Sequence, residues 1–157
     1  MVKIVTGKIN DLKSTRLYQH YLSHQLGDGF ISIKHMSGKQ VHHYDALRLS
    51  TKKQKPFMIH EQFFHQQEES LYKIGPYYVI KETMEEIERS IKEMIAQSID
   101  PIYLDEVGQL ELNDLGYAPM IKLILENDFD LIMVVREDLI EKVINKFQIK
   151  DFEIVGE

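Results

Sequence analysis

The chain has no cysteine, which excludes a disulfide framework, thiol chemistry and a zinc–thiolate centre. It lacks a basic excess: 25 acidic against 19 basic residues leave a formal charge of −6 and a pI near 5.6. That balance argues against non-specific nucleic-acid binding, which needs a cationic surface. No apolar run approaches the roughly 20 residues that cross a bilayer, and the N-terminus has no signal-peptide layout. The expectation is a cytoplasmic protein with no nucleic-acid or membrane partner. No internal repeat, low-complexity tract or linker interrupts the chain. Its 157 residues, 43% hydrophobic and 28% charged, suit one globular domain spanning 1–157 with a real core.

Charge is uneven along the chain. Residues 1–60 are rich in lysine and hold six of the seven histidines, whereas 82–93 and 105–114 are acidic. The first apolar run, Val2–Val5, has the β-branched character of a buried parallel strand. A helix of roughly residues 13–26 is expected after it, with Leu17, Tyr18, Tyr21, Leu22 and Leu26 as its apolar stripe and Gly27 and Gly29 as its stop. His20 and His24 fall off that stripe and are expected in solvent. A hairpin follows, turning at Met36-Ser-Gly38-Lys39. Thr51–Lys55 reads as a lysine-rich loop, Pro56–Glu69 has no clean period, and Leu71–Ile80 gives two short extended pieces around Gly75-Pro76.

From residue 82 onward helix and strand alternate. Thr83 and Glu86 have capping-box spacing ahead of the face Met84, Ile87, Ile91, Met94 and Ile95. Ile102–Leu104, Leu131–Val135 and Phe152–Val155 read as strands. Pro119 marks a helix start, and Leu139, Ile140, Val143, Ile144 and Phe147 form another helical face. This is the pattern of an α/β fold: a mostly parallel sheet with helices on both faces and an antiparallel hairpin inserted at one edge.

Residues 7–15, Gly-Lys-Ile-Asn-Asp-Leu-Lys-Ser-Thr, occupy the strand-to-helix turn. They match a phosphate-binding loop, G-x-x-x-x-G-K-[ST], except that Leu12 takes the second glycine's place. Such loops hold anions with backbone N–H groups and a helix N-terminus. Lys13 then reaches the β- and γ-phosphates and Ser14 offers its hydroxyl to Mg²⁺. The strand 102–104 delivers Asp105 and Glu106 at its C-terminal end, the edge where open α/β sheets bind ligands. Asp105 is placed to hold Mg²⁺ through water, and Glu106 to orient or deprotonate an attacking water. Arg136 ends another strand at the same edge and is a candidate for phosphate contact, or equally a surface arginine capping a loop. His42, His43, His60 and His65 offer metal-ligand chemistry without a known spacing, and scattered surface histidines are the simpler account.

With these motifs the chain resembles the small one-domain P-loop nucleoside-triphosphatases of thermophiles and the vertebrate cancer-related NTPase. The family's phosphate loop reads G-x-P-G-V-G-K-T-T and its acidic strand is close to I-D-E-I-G-x-M-E-L. Here the second motif reads Leu104-Asp-Glu-Val-Gly-Gln-Leu-Glu-Leu112. Gly29-Phe30, the hairpin and Ile74-Gly-Pro-Tyr77 are similar to family landmarks in the same order. The resemblance implies a RecA-like core and slow Mg²⁺-dependent hydrolysis of nucleoside triphosphates such as ATP or GTP. It assigns phosphate, metal and water roles to Lys13, Ser14, Thr15, Asp105 and Glu106, with Glu111 in support.

All departures lie in the phosphate loop, where Ile9, Asn10, Asp11 and Leu12 replace Pro, Gly, Val and Gly. Asn10 enters the left-handed backbone region more readily than other side chains. Leu12 adds bulk where backbone approaches phosphate, and Asp11 adds negative charge to the anion nest unless Lys8 or Mg²⁺ offsets it. The expected ligand-binding set is therefore Gly7, Lys8, Asn10, Asp11, Leu12, Lys13, Ser14, Thr15 and Arg136. Glu106 and Lys13 are the catalytic pair, and Ser14 and Asp105 the metal pair. The alternative is a nucleotide-binding or interaction module that has lost catalysis, with a protein partner the sequence does not identify. A kinase ranks lower: only Arg16, Arg48, Arg89 and Arg136 are present, without a paired cluster to clamp a transferred phosphoryl group.

Overall fold

The computed structural model describes residues 1–6, 13–65 and 67–155, with Lys13 described by its backbone alone. The elements, in order, are β1 (Val2–Val5), α1 (Lys13–His24), β2 (Asp28–Ser37), β3 (Gln40–Arg48), β4 (Gln54–His60), β5 (Ser70–Ile74) and β6 (Tyr77–Ile80). Then come α2 (Lys81–Ala96), β7 (Ile102–Val107), α3 (Gln109–Leu112), α4 (Ala118–Glu126), β8 (Leu131–Val135), α5 (Ile140–Phe147) and β9 (Phe152–Val155).

The strands form one sheet in the order β5-β6-β4-β3-β2-β7-β8-β1-β9. From β2 to β9 every neighbour pair is parallel, and from β2 to β5 every pair is antiparallel. The hairpin read from the Ser-Gly turn is thus the root of a whole antiparallel wing, continuous with the parallel part through β2.

Burial explains the arrangement. All five residues of β8 are buried, because α1 covers one face of the parallel part and α2, α4 and α5 cover the other. Leu17 of α1 packs with Val5, Ile31, Leu47, Tyr103, Ile132 and Val134. Met84, Ile87, Ile91 and Met94 of α2 pack with Ile121 and Ile124 of α4, Val143 of α5 and the opposite strand face. Each such side chain contributes about 1.5–3 kcal/mol on burial, so these two layers dominate the stability. β9, at the edge, leaves all four residues exposed.

Several local expectations change. Leu22 and Leu26 are exposed: Leu22 lies about 140° around the helix from Leu17 at 3.6 residues per turn, and Leu26 follows the helix end. Gln25, in the left-handed conformation at φ 50°, ends the helix with its N–H on the Tyr21 carbonyl at 2.8 Å. Gly27 and Gly29 are needed for something else. A Cβ on Gly29 would lie 2.1 Å from the Tyr103 carbonyl oxygen, so glycine is what lets β2 enter the sheet beside β7.

The stretch after Lys53 is more regular than its sequence, since it forms β4 against β3. Thr83 is not a helix cap: it lies inside α2, whose N-cap is Ile80, and its hydroxyl donates to the Pro56 carbonyl at 2.6 Å. Glu86 turns to Lys55 instead of back to the helix start, at 2.5 Å. Both residues tie α2 to β4, a tertiary use that outcompetes the local box.

At the root of the wing, buried Asp28 collects four donors. Its Oδ1 accepts the Gly29 and Ser50 N–H groups at 2.8 and 3.0 Å, and its Oδ2 accepts Arg48 Nε at 2.9 Å and Ser50 Oγ at 2.6 Å. A fully satisfied buried carboxylate fixes β2, β3 and the loop after β3 as one unit.

Candidate functional site

The C-terminal ends of the parallel strands gather the residues that the two motifs single out. β1 ends at Val5 and α1 begins at Lys13. Gly7, Lys8, Asn10, Asp11 and Leu12 lie outside the described residues, and Lys13 is placed as the first residue of α1. Ser14 and Thr15 follow in the first turn, Ser14 half-buried and Thr15 exposed.

Ser14 and Asp105 meet. The Ser14 hydroxyl donates to Asp105 Oδ2 at 2.5 Å across 91 residues of sequence, and the Ser32 N–H of β2 donates to the same oxygen at 3.0 Å. Asp105 has no solvent exposure. Burial pushes its carboxyl up to about 7 and the nearby Glu106 charge adds to the rise, while the bonds from Ser14 and Ser32 and a backbone bond oppose it. Its Oδ1 is buried and has no hydrogen-bond partner among the described residues, and neither has Thr6 Oγ1, just past β1. Two buried polar atoms without partners at one sheet edge call for a further group there.

Adjacent strand residues face opposite sides of a sheet, so Glu106 leaves the side of Asp105, and the strand breaks its own alternation here. Leu104 pairs with Met133 and Val107 with Val135, three steps on β7 against two on β8. The extra residue is a bulge, a device that re-aims side chains at sheet ends. Glu106 takes φ 59°, a left-handed conformation that costs a non-glycine residue energy and recurs at functional sites. The result is one buried and one exposed carboxylate from adjacent positions.

Around Glu106 lie groups within its electrostatic reach: Tyr44 of β3, Tyr117 before α4, Glu111 of α3 and Arg136. Tyr44 is pushed up to about 12, chiefly by burial and then by Tyr77. Glu111 is buried and accepts the Gly108 and Tyr117 N–H groups at 2.7 and 2.9 Å, with burial raising its carboxyl above the usual range. It braces the turn after β7, and glycine at 116 leaves room for it, since a Cβ there would lie 2.1 Å from Glu111 Oε2.

Arg136 ends β8 beside this site, as its position in sequence suggests. Its guanidinium is committed to Asp138 in a two-pronged pair at 2.7 and 2.9 Å. The Ser32 amide and Tyr44 went unread in the sequence, because both reach the site through β2–β3 pairing, which no local motif encodes.

Of the two α1 histidines expected in solvent, His24 is exposed and His20 departs from the expectation. His20 is only partly exposed: its Nδ1 lies 2.9 Å from the Tyr103 hydroxyl, and its ring stacks on exposed His24 at 4.0 Å. Among the described residues no helix is long and apolar enough to cross a membrane.

Comparison with known proteins agrees with this geometry. A family model described as NTPase matches residues 3–156. Two curated relatives, both nucleoside-triphosphatase THEP1, come from Thermotoga maritima and Thermotoga sp. strain RQ2, and are 30% and 28% identical over 88 residues. Those matches cover 54% of this chain and 51% of each relative, so the chain spans about half the length of the curated relatives it matches. The solution structure of a human cancer-related nucleoside triphosphatase superposes with a TM-score of 0.65 at 17% identity, covering 98% of this chain and 86% of that one. That likeness shows a shared α/β fold over the sheet described above. On the match spanning residues 3–156, the chain belongs to the NTPase family.

Proposed function

We propose that the chain binds a nucleoside triphosphate, ATP or GTP, at the C-terminal sheet edge and hydrolyses it slowly with Mg²⁺ to the diphosphate and phosphate. The observation that carries the reading is the Ser14–Asp105 hydrogen bond at 2.5 Å, beside exposed Glu106. It joins the two motifs at the place where P-loop proteins hold metal and water.

Ser14 and Asp105 would hold the Mg²⁺, and the unpartnered Asp105 Oδ1 fits a site completed by a cation or its water. Bound there, Mg²⁺ would offset phosphate charge and fix the orientation of the β- and γ-phosphoryl oxygens. Lys13 and the backbone of Gly7, Lys8, Asn10, Asp11 and Leu12 hold the phosphates, with Thr15 flanking them. Glu106 accepts a proton from the attacking water. The water oxygen bonds to the γ-phosphorus as the bond to the bridging oxygen breaks, and the diphosphate leaves. Arg136 serves phosphate once it exchanges Asp138 for the ligand. We read residues 1–157 as one cytoplasmic domain of this kind.

Purified protein incubated with Mg²⁺ and each nucleoside triphosphate tests the reading. Phosphate release that falls about 100-fold or more in Glu106→Gln, with nucleotide still bound, is the expected result. Tight binding without turnover in the unaltered chain would establish the impaired-module alternative instead. Absence of binding would overturn both.

A further inference from the structure

The antiparallel wing carries a second cluster of ligating groups, beyond the last contact between β2 and Asp105. Residues of β2 alternate between the sheet faces, so His35 lies on the face of Ile31 and Ile33, which is the face of α1. Its cross-strand partner is His43, and Asp45 is the partner of Ile33. All three therefore share one face, Asp45 about 3 Å and the two histidines about 10 Å past Ser32 at the rise of a β-strand.

Their geometry is that of converging ligands. His35 Nε2 lies 2.9 Å from Asp45 Oδ2, and His43 Nε2 lies 3.0 Å from Asp45 Oδ1. The two imidazoles stack nearly parallel, with centroids 4.5 Å apart and planes 10° apart. Asp45 is more than nine-tenths buried, yet Asp45 Oδ1 and His35 Nε2 are buried atoms without a hydrogen-bond partner among the described residues. The contacts are close but lack the alignment of hydrogen bonds. One donor atom from each of the three residues lies within 4.8 Å of the other two.

A further residue supports the set. His42 Nδ1 lies 2.7 Å from His43 Nδ1, so one proton serves both nitrogens. Placed on His43, it leaves the Nε2 lone pair facing a carboxylate oxygen, an arrangement that needs a cation between them. Metal-bound histidines characteristically use their second nitrogen in this way. The ladder shifts register here, one step on β2 from His35 to Met36 against two on β3 from His43 to Val41, so His42 is the extra residue of a bulge in β3.

We infer that His35, His43 and Asp45 form a binding site for one divalent transition-metal ion of the zinc type, with His42 as its supporting residue. Two imidazoles and one carboxylate suit Zn²⁺, Co²⁺ or Fe²⁺ and are poorly matched to Mg²⁺, which takes oxygen donors. Three protein ligands leave a position open to water, and the partial exposure of His35 gives the ion a way in. Bound there, the ion ties β2 to β3 where β2 has left β7.

Co²⁺ titration of the full chain in saturating Mg²⁺, followed by visible ligand-field absorption and Zn²⁺ displacement, tests the site. One displaceable Co²⁺ per chain is expected. His35→Gln, His43→Gln and Asp45→Asn each weaken binding at least about tenfold, and His42→Ala weakens it by about 10–100-fold. His24→Gln, on an exposed histidine outside the cluster, leaves binding unchanged. Melting curves of the metal-free variants show whether each is folded, and the His35→Gln variant, altered at a partly exposed ring, serves if the Asp45 variant is not. No Co²⁺ binding would reduce the cluster to a histidine–aspartate ion pair and overturn the inference. Binding that survives all three ligand substitutions but is lost in Asp105→Asn would overturn it too, by placing the ion at the other site.

Discussion

The two halves of the sheet solve different problems. In the parallel half, β7 and β8 are covered on both faces, and β8 is a continuous apolar run because nothing in it meets water. In the wing, β5 alternates between half-buried and exposed positions, and the first three residues of β4 are exposed. The parallel half places polar residues at strand ends, where Asp105, Glu106 and Arg136 collect. The wing carries them along its strands, where His35, His43 and Asp45 face one another across a ladder. A strand buried on both faces has only its ends left for chemistry, whereas a strand covered on one side can build a site in mid-run.

The sharpest way to break this comparison is to move the chemistry. Glu106→Gln, at a parallel strand end, should lower phosphate release by about 100-fold to 10,000-fold, the range for a lost general base. Lys73→Ala, on the wing and paired with Glu61 at 2.5 Å on the surface, should leave the rate within about twofold, since exposed pairs contribute little. Comparable losses in steady-state assays of both would mean that the wing takes part directly.

Stability should divide the same way. Met133→Ala in β8, where the side chain is wholly buried, should cost about 2–5 kcal/mol in denaturant unfolding. Leu71→Ala in β5, which is exposed, should change it by no more than about 0.5 kcal/mol. Equal costs would show that the wing is packed as tightly as the parallel half.

The junction between the halves rests on Asp28. Asp28→Asn leaves Arg48 unpaired beside a buried site and should cost about 3 kcal/mol, read as a lowered melting temperature. A loss well below this would mean that the glycine-dependent approach of β2 to β7 suffices to hold the wing.

The smallest expected effect is a pH slope. Glu111 has its carboxyl raised above 4.5 in the folded chain by burial. Between 4.5 and that higher value the native state binds more protons than the unfolded one, so stability falls as pH rises through this window and levels off above it. Glu111→Gln should remove that part of the slope. Unfolding curves of the two proteins across the acid range would cross-check it, and an unchanged slope would assign the titration elsewhere.

Much of this was legible along the chain. The apolar runs of β7 and β8 and the helices with 3.6-residue faces followed from hydrophobic patterning, and the hairpin from its turn chemistry. Asp105 and Glu106 were legible as a pair on opposite sides of a strand, but the bulge beside them was not, because it depends on register with β8. Thr83 and Glu86 misled for a related reason: their spacing is a capping box, but neighbours on β4 compete for the same side chains. His35 and Asp45 have no helical or motif spacing and meet only through antiparallel pairing.

The sequence by itself determined which segments are buried strands and helices, because hydrophobic periodicity is a local property. It also placed Ser14 and the Asp105–Glu106 pair at strand and helix ends, through motifs whose spacing reflects that geometry. The tertiary structure alone decided that Ser14 and Asp105 touch, that the hairpin grows into half the sheet, and that two histidines and an aspartate converge. Contacts of this kind depend on strand order and register, which are set by burial summed over the whole molecule rather than by any one stretch of chain.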